Sequence, residues 1–260
     1  EQRAPLAGQD LQRAIIGVLK LPERTGAPDY QILRWARTRG YPTRAFATYV
    51  IETEPGIPVV TLRLSESSLL SRIPQGPKRA ILYVAHQSAD VELRENTWVR
   101  ELCTAGADTA VFACDVRGVG ESRPVLSTPE NAAKGGADYF HAACGLLFDY
   151  PMVGQRTYDV LRVLDLLQET GHAEVHLVAL GWGAIPATFA AVLHDTVTRV
   201  TLKHALTRYA DVVETESYQW PLSTLVPSVL PNFDLPDCYR ELARKQLQQV
   251  ESVGAAGVPR

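Results

Sequence analysis

Histidine, serine and aspartate recur at every second position in the segment Ala85-His86-Gln87-Ser88-Ala89-Asp90. These are the parts of a nucleophilic hydrolase: a hydroxyl that attacks, an imidazole that takes its proton and a carboxylate that orients the imidazole. In an extended loop the three side chains share one face, about 7 Å apart in successive pairs. A Ser–His hydrogen bond needs about 2.6–3.2 Å, so the loop must curl for chemistry. The same letters have a plainer use. Ser88 or Asp90 caps a helix that starts near Val91, and Glu92 or Glu95 favours its N-terminus.

Other positions invite the same comparison. Asp115 and Arg117 close an apolar strand in Cys114-Asp115-Val116-Arg117-Gly118. Asp115 is a candidate base there; with Arg117, Glu121 and Ser122 it is also a candidate brace between loops. His204 ends a strand and faces either a cleft or the core, and His141 lies on a mainly apolar helix. Gly181-x-Gly183-x-x-Pro186 follows a strand and opens a helix, which imitates the dinucleotide fingerprint G-x-G-x-x-G. Pro186 replaces the third glycine, and no acid follows about 20 residues later to hold a ribose. A proline also suits a first helical turn for structural reasons alone.

Strands alternating with helices must carry these groups. Asp10 is a candidate cap for helix LQRAIIGVLK, which Pro22 ends. Alternation over 45–54 and 57–65, split by Pro55-Gly56, predicts an antiparallel hairpin. Continuous apolar runs at 79–85, 109–114 and 174–180 predict strands buried on both faces, and 198–204 is a further strand. Helical patterns cover 92–105 (ending at Gly106), 137–148, 154–170 (stopped by Gly171), 184–194 and 237–245. A Gly/Pro-rich stretch fills 117–136, and a short strand lies near 246–251. Four prolines and Trp220 make 207–236 a cap-like excursion from a single domain, 1–260. The order predicts an α/β fold: a mostly parallel sheet, an opening hairpin and helices on both faces.

Of the 260 residues, 46% are apolar and 21% charged, ordinary for a packed globule that needs no staples. The net charge of −3 argues against a nucleic-acid surface. No apolar run approaches the roughly 20 residues of a membrane span. Cys103, Cys114, Cys144 and Cys238 have no CxxC spacing, so no metal and no other cofactor is expected. Cys114 reads as a small core residue. The first residue is Glu1, as expected of a processed secreted or periplasmic protein or of a domain cut from a longer chain. The compartment stays open.

Three segments carry a resemblance over residues 44–257: CDVRGVGES (114–122), LVALGWGAIPA (177–187) and LPDCYRELARKQLQQVESVGAAG (235–257). In this order they resemble the α/β-hydrolase superfamily, in its acetyl-xylan-esterase-like branch. The resemblance implies the α/β-hydrolase fold with an eroded C-terminal part. It makes 177–187 the nucleophile elbow, where Gly-x-Ser-x-Gly would hold a serine at a sharp turn. Gly183 then fills the nucleophile position, and Gly254 the acid position with Glu251 just before it. The histidine would follow an eighth strand, for which residues up to Arg260 leave no room. A triad works as a unit, so the expectation is an esterase-like domain without ordinary serine-hydrolase catalysis. Such a domain would be a binding or scaffolding module. The resemblance implies a polysaccharide or acyl-sugar ligand and a second, active esterase domain on a longer chain. Its candidate ligand-binding residues are Gly181, Trp182, Gly183, Ala184, Gln87, Asp115, Arg117 and Trp220. Trp182 either plugs the space above the turn or floors a sugar site. Two alternatives stand: a carboxylic-ester hydrolase using His86, Ser88 and Asp90, and a nucleotide binder through Gly181-x-Gly183.

Overall fold

The computed structural model describes residues 4–33, 39–66, 73, 75–102, 106, 108–124 and 136–257. After helix α1 (Gly8–Leu19), an edge strand β1 (Tyr30–Leu33) precedes the expected hairpin of β2 (Ala45–Glu54) and β3 (Ile57–Ser65). The strands β4 (Arg79–Val84), β5 (Thr109–Asp115), β6 (Glu174–Leu180), β7 (Val197–Lys203) and β8 (Leu247–Val250) follow. The sheet order is β1-β2-β3-β5-β4-β6-β7-β8. Pairs from β5 through β8 are parallel, and β3 joins β5 antiparallel. In β4 every residue after Arg79 is buried, as its unbroken apolar run requires.

The connecting helices are α2 (Ala89–Glu95), α3 (Thr97–Leu102), α4 (Gly136–Leu147), α5 (Met152–Glu169) and α6 (Ala184–Leu193). Three more follow: α7 (Tyr209–Glu214), α8 (Val229–Asn232) and α9 (Leu235–Leu242). Helix α6 is rich in alanine and almost wholly buried, so it packs close to the sheet. Helix α9 starts at a capping box in which Asp234 and Asp237 serve each other's backbone, with a proline in its first turn.

Several boundaries move. The cap residue of α1 is Ala7, with Asp10 inside the first turn, and Lys20 in the left-handed region ends the helix before Pro22. The expected helix 92–105 is two helices. Asn96 breaks it with an extended backbone, and its side-chain oxygen accepts from the Val99 N–H. Residues 103–105 of that expected helix, with Cys103, lie outside the described residues, as do 125–135 of the Gly/Pro-rich stretch. β1 had no sequence signal because its four residues alternate weakly. In the 207–236 segment, the Asp234 carboxylate takes the Tyr209 and Ala210 amides, and the Tyr209 hydroxyl donates to the Thr224 carbonyl.

Candidate functional site

At the carboxyl ends of parallel strands an α/β sheet presents its ligands, so the turn from β6 into α6 is the place to build from. Gly181 there has φ +53°, whereas Gly183 has φ −65°. The strained apex of a strand-to-helix turn needs positive φ, which only the first of these glycines supplies. The expectation that Gly183 marks the apex is therefore corrected to Gly181. Gly183 is glycine for another reason. A β-carbon on it would stand 2.5 Å from the Ala85 carbonyl oxygen and 2.7 Å from that of Val84. The start of α6 lies directly on the end of β4. A β-carbon on Gly181 would stand 2.6 Å from Nδ1 of His86.

His86 is buried, and its Nδ1 accepts the Trp182 backbone N–H at 3.1 Å. Accepting there puts the imidazole proton on Nε2. The ring meets the Trp182 indole edge-on, centroids 4.8 Å apart. The imidazole thus packs between the indole and Gly181.

The loop beneath is held by a residue first read only as a helix-terminus charge. The buried Glu92 carboxylate accepts three consecutive backbone N–H groups: His86 at 3.1 Å, Gln87 at 2.7 Å and Ser88 at 3.1 Å. It also accepts the Tyr83 hydroxyl at 2.6 Å. Burial, and then the Glu92 charge, push the Tyr83 hydroxyl well above its ordinary range. The sequence signal was a glutamate four residues after a serine cap, in the first turn of an amphipathic helix.

The trio His86, Ser88 and Asp90 is divided among separate tasks. Ser88 caps α2, its Oγ accepting from the Val91 N–H at 3.3 Å. Asp90 accepts from the Tyr41 hydroxyl at 2.6 Å and from Arg94 at 2.7 Å. Burial alone would raise the Asp90 carboxyl, but Tyr41, Arg94 and Arg39 outweigh it and hold it below its ordinary range. None of these bonds joins one member of the trio to another.

The end of β5 is a brace. Asp115 is buried and accepts the Ala89 N–H at 2.7 Å and the Glu121 N–H at 2.8 Å. Burial pushes its carboxyl up to about 7, against those two bonds. Arg117 forks onto Asp159 and also meets Glu54 at 2.6 Å. Burial would lower its guanidinium, but Asp159 and Glu54 outweigh that and raise it. The Gln87 carbonyl accepts from the Gly120 N–H at 2.9 Å and from Arg123 at 3.3 Å, tying this loop to the one above β4. Trp220 sits in the core, 2% exposed, its indole donating to the Gly254 carbonyl. Gly181, Trp182, Gly183, Ala184 and Gln87 thus converge at one edge, Asp115 and Arg117 flank them, and Trp220 packs elsewhere. His204 pairs with Glu251 at 2.8 Å beyond the ends of β7 and β8. Among the described residues no three His, Cys, Asp or Glu side chains cluster to hold a metal, and no helix is long and apolar enough to cross a membrane.

A cavity of about 670 Å³ opens on the far side of the β5 loop. Residues 57–60, 117–124 and 141–155 supply its walls, among them His141 and Cys144. Sequence reading had no signal for it, because these segments meet only in the fold.

No family model and no curated protein sequence matches the chain. Solved structures do. A Bacteroides fragilis protein assigned as an acetyl xylan esterase superposes with a TM-score of 0.68 at 14% identity, over 92% of this chain and 66% of its own length. This chain therefore spans just under two thirds of that protein. Acetyl xylan esterase 1 from a Thermoanaerobacterium species gives 0.54 at 11% identity, covering 98% of this chain and 91% of that one. An acetyl xylan esterase from a Paenibacillus species gives 0.53 at 14% identity, covering 99% and 93%. At these identities the likeness is one of architecture, and by it the chain has the α/β-hydrolase fold, in the form that acetyl xylan esterases share.

Proposed function

We propose that this esterase-like domain binds or scaffolds and does not run serine-hydrolase chemistry. One observation carries the reading. Gly181 stands at the apex where an elbow would hold its nucleophile, and the next backbone N–H, that of Trp182, is already bonded to His86. In an elbow that N–H belongs to the oxyanion hole. The second donor set, the amides above β4, is taken by Glu92. A site that lacks an attacking atom and has its donors occupied offers no stabilisation to a tetrahedral oxyanion. The imidazole over Gly181 also stands where a pyrophosphate would approach, which speaks against a nucleotide. A polysaccharide or acyl-sugar ligand, and an active esterase domain beside this one, rest on the likeness to acetyl xylan esterases alone.

The test is p-nitrophenyl acetate hydrolysis by the full chain, with fluorophosphonate labelling alongside. The expected result is a rate indistinguishable from buffer and no labelled protein. Enzymatic turnover that disappears in both Ser88→Ala and His86→Ala, but persists in Ser122→Ala, would overturn the proposal in favour of chemistry in the loop above β4.

A further inference from the structure

The cavity beside β5 calls for a different ligand from the one the fold suggests. Val60 pairs with Asp115 across the sheet, so the start of β3 projects past the carboxyl end of β5. Ile57, Pro58 and Val60 form one wall, and Cys144, Phe148 and Met152, from the α4–α5 corner, form the other. Both walls are apolar, and a volume of about 670 Å³ is in the range of small-molecule sites.

The polar groups around it are mostly committed. Arg117 is held by Asp159 and Glu54, and Gln155 donates to the Tyr150 carbonyl. Tyr150 donates to Glu54, Ser122 donates to the Asp115 carbonyl, and Glu121 pairs with Arg39. A sugar would find few partners here, and each unpaired hydroxyl would weaken binding. Two lining residues differ. His141 makes a ring contact with Phe140. Arg123 lines the cavity at its exposed rim, and among the described residues it bonds the Gln87 carbonyl. Among the described residues no carboxylate pairs with it. An apolar trough with a rim guanidinium that meets no carboxylate among the described residues fits a slender apolar molecule with one negative end.

We propose that this cavity binds a single-chain aliphatic carboxylate, its tail between β3 and the α4–α5 corner and its carboxylate at Arg123. No catalytic step is involved, and the site is separate from the turn after β6. The α4 face supplies a reporter. Cys144 is half-buried at the cavity wall, whereas Cys114 and Cys238 are fully buried.

The test titrates octanoate, decanoate and dodecanoate into the full chain by calorimetry, with dodecanol as the uncharged control. Cys144 alkylation by N-ethylmaleimide is followed in parallel by peptide mass spectrometry. The expected result is one saturable site that tightens with tail length, by up to about fourfold per added methylene. Arg123→Gln should weaken dodecanoate about threefold and leave dodecanol unchanged, because a rim charge contributes little. Bound dodecanoate should slow alkylation of Cys144. Three outcomes would overturn the proposal: no saturable binding below the aggregation concentration, binding with Cys144 alkylation unaltered, or equal loss of dodecanoate and dodecanol in Arg123→Gln. Arg123 is exposed, so its variant keeps the fold for the comparison.

Discussion

Two regions on one sheet edge solve opposite problems. Around the turn after β6, the chain turns its own polar groups on each other: His86 on Trp182, Glu92 on three amides, Asp115 on two more. Across the β5 loop, the cavity between β3 and the α4–α5 corner leaves apolar wall and one rim cation without a partner carboxylate among the described residues. A fold-level likeness directs attention to the first region. Physical chemistry directs it to the second, since open apolar volume beside a rim cation is what a ligand could fill. The contrast teaches that an edge whose donors are satisfied internally and an edge that leaves apolar wall open can lie side by side on one sheet.

The sharpest way to break this comparison is Glu92→Ala. Removing a buried carboxylate strands three amides and a hydroxyl, and a loss of about 3–5 kcal/mol is expected. Phe148→Ala, at an 81% exposed cavity wall, should stay within about 0.5 kcal/mol. Urea unfolding of both variants checks the contrast, and similar losses at the two sites would dissolve it. Next in size is Gly183→Ala, whose methyl meets the β4 carbonyls rather than a side chain able to turn. A cost of about 1–3 kcal/mol is expected from overpacking. Gly181→Ala should cost about 1–2 kcal/mol for its positive φ, with the His86 ring displaced rather than the backbone. If Gly183→Ala proves neutral, the assignment of the apex to Gly181 loses its packing support.

A last effect is a slope with pH. The Asp115 carboxyl is raised in the folded protein to about 7, against about 3.9 unfolded. A raised acid contributes stability that is complete below the unfolded value and lost as pH rises through the folded one. Wild type should therefore lose stability between pH 4 and 7, by at most about 1.4 kcal/mol per pH unit from this group. Asp115→Asn is weaker overall but lacks that slope. Urea midpoints at pH 5, 6, 7 and 8 decide; identical slopes would mean that Asp115 is ionised throughout, as its two amide bonds alone would favour.

The fold was legible because buried parallel strands leave unbroken apolar runs such as Ala80–Val84, and the Pro55-Gly56 turn marks its hairpin. The register of the elbow was not. Two glycines flank Trp182, and only the approach of α6 to β4 tells which one bears the positive φ. His86 lies in the loop at the sheet edge, but the partners drawn for its ring came from its own segment. Its Nδ1 instead accepts from a residue 96 positions away. Glu92 was seen as a charge near a helix terminus; its bonds to the preceding loop depend on a curl that sequence spacing does not encode. The break at Asn96 was invisible for a related reason, since a polar residue on an exposed helix face looks the same whether it continues the helix or caps the next one.

The grip of Glu92 has a consequence for redesign. A serine placed at position 181 would bring its β-carbon to 2.6 Å from the His86 imidazole and would face backbone amides already engaged by Glu92. Opening that edge to a newcomer therefore asks for changes at positions 86, 92 and 181 together, because the three are tied into one interlocked set.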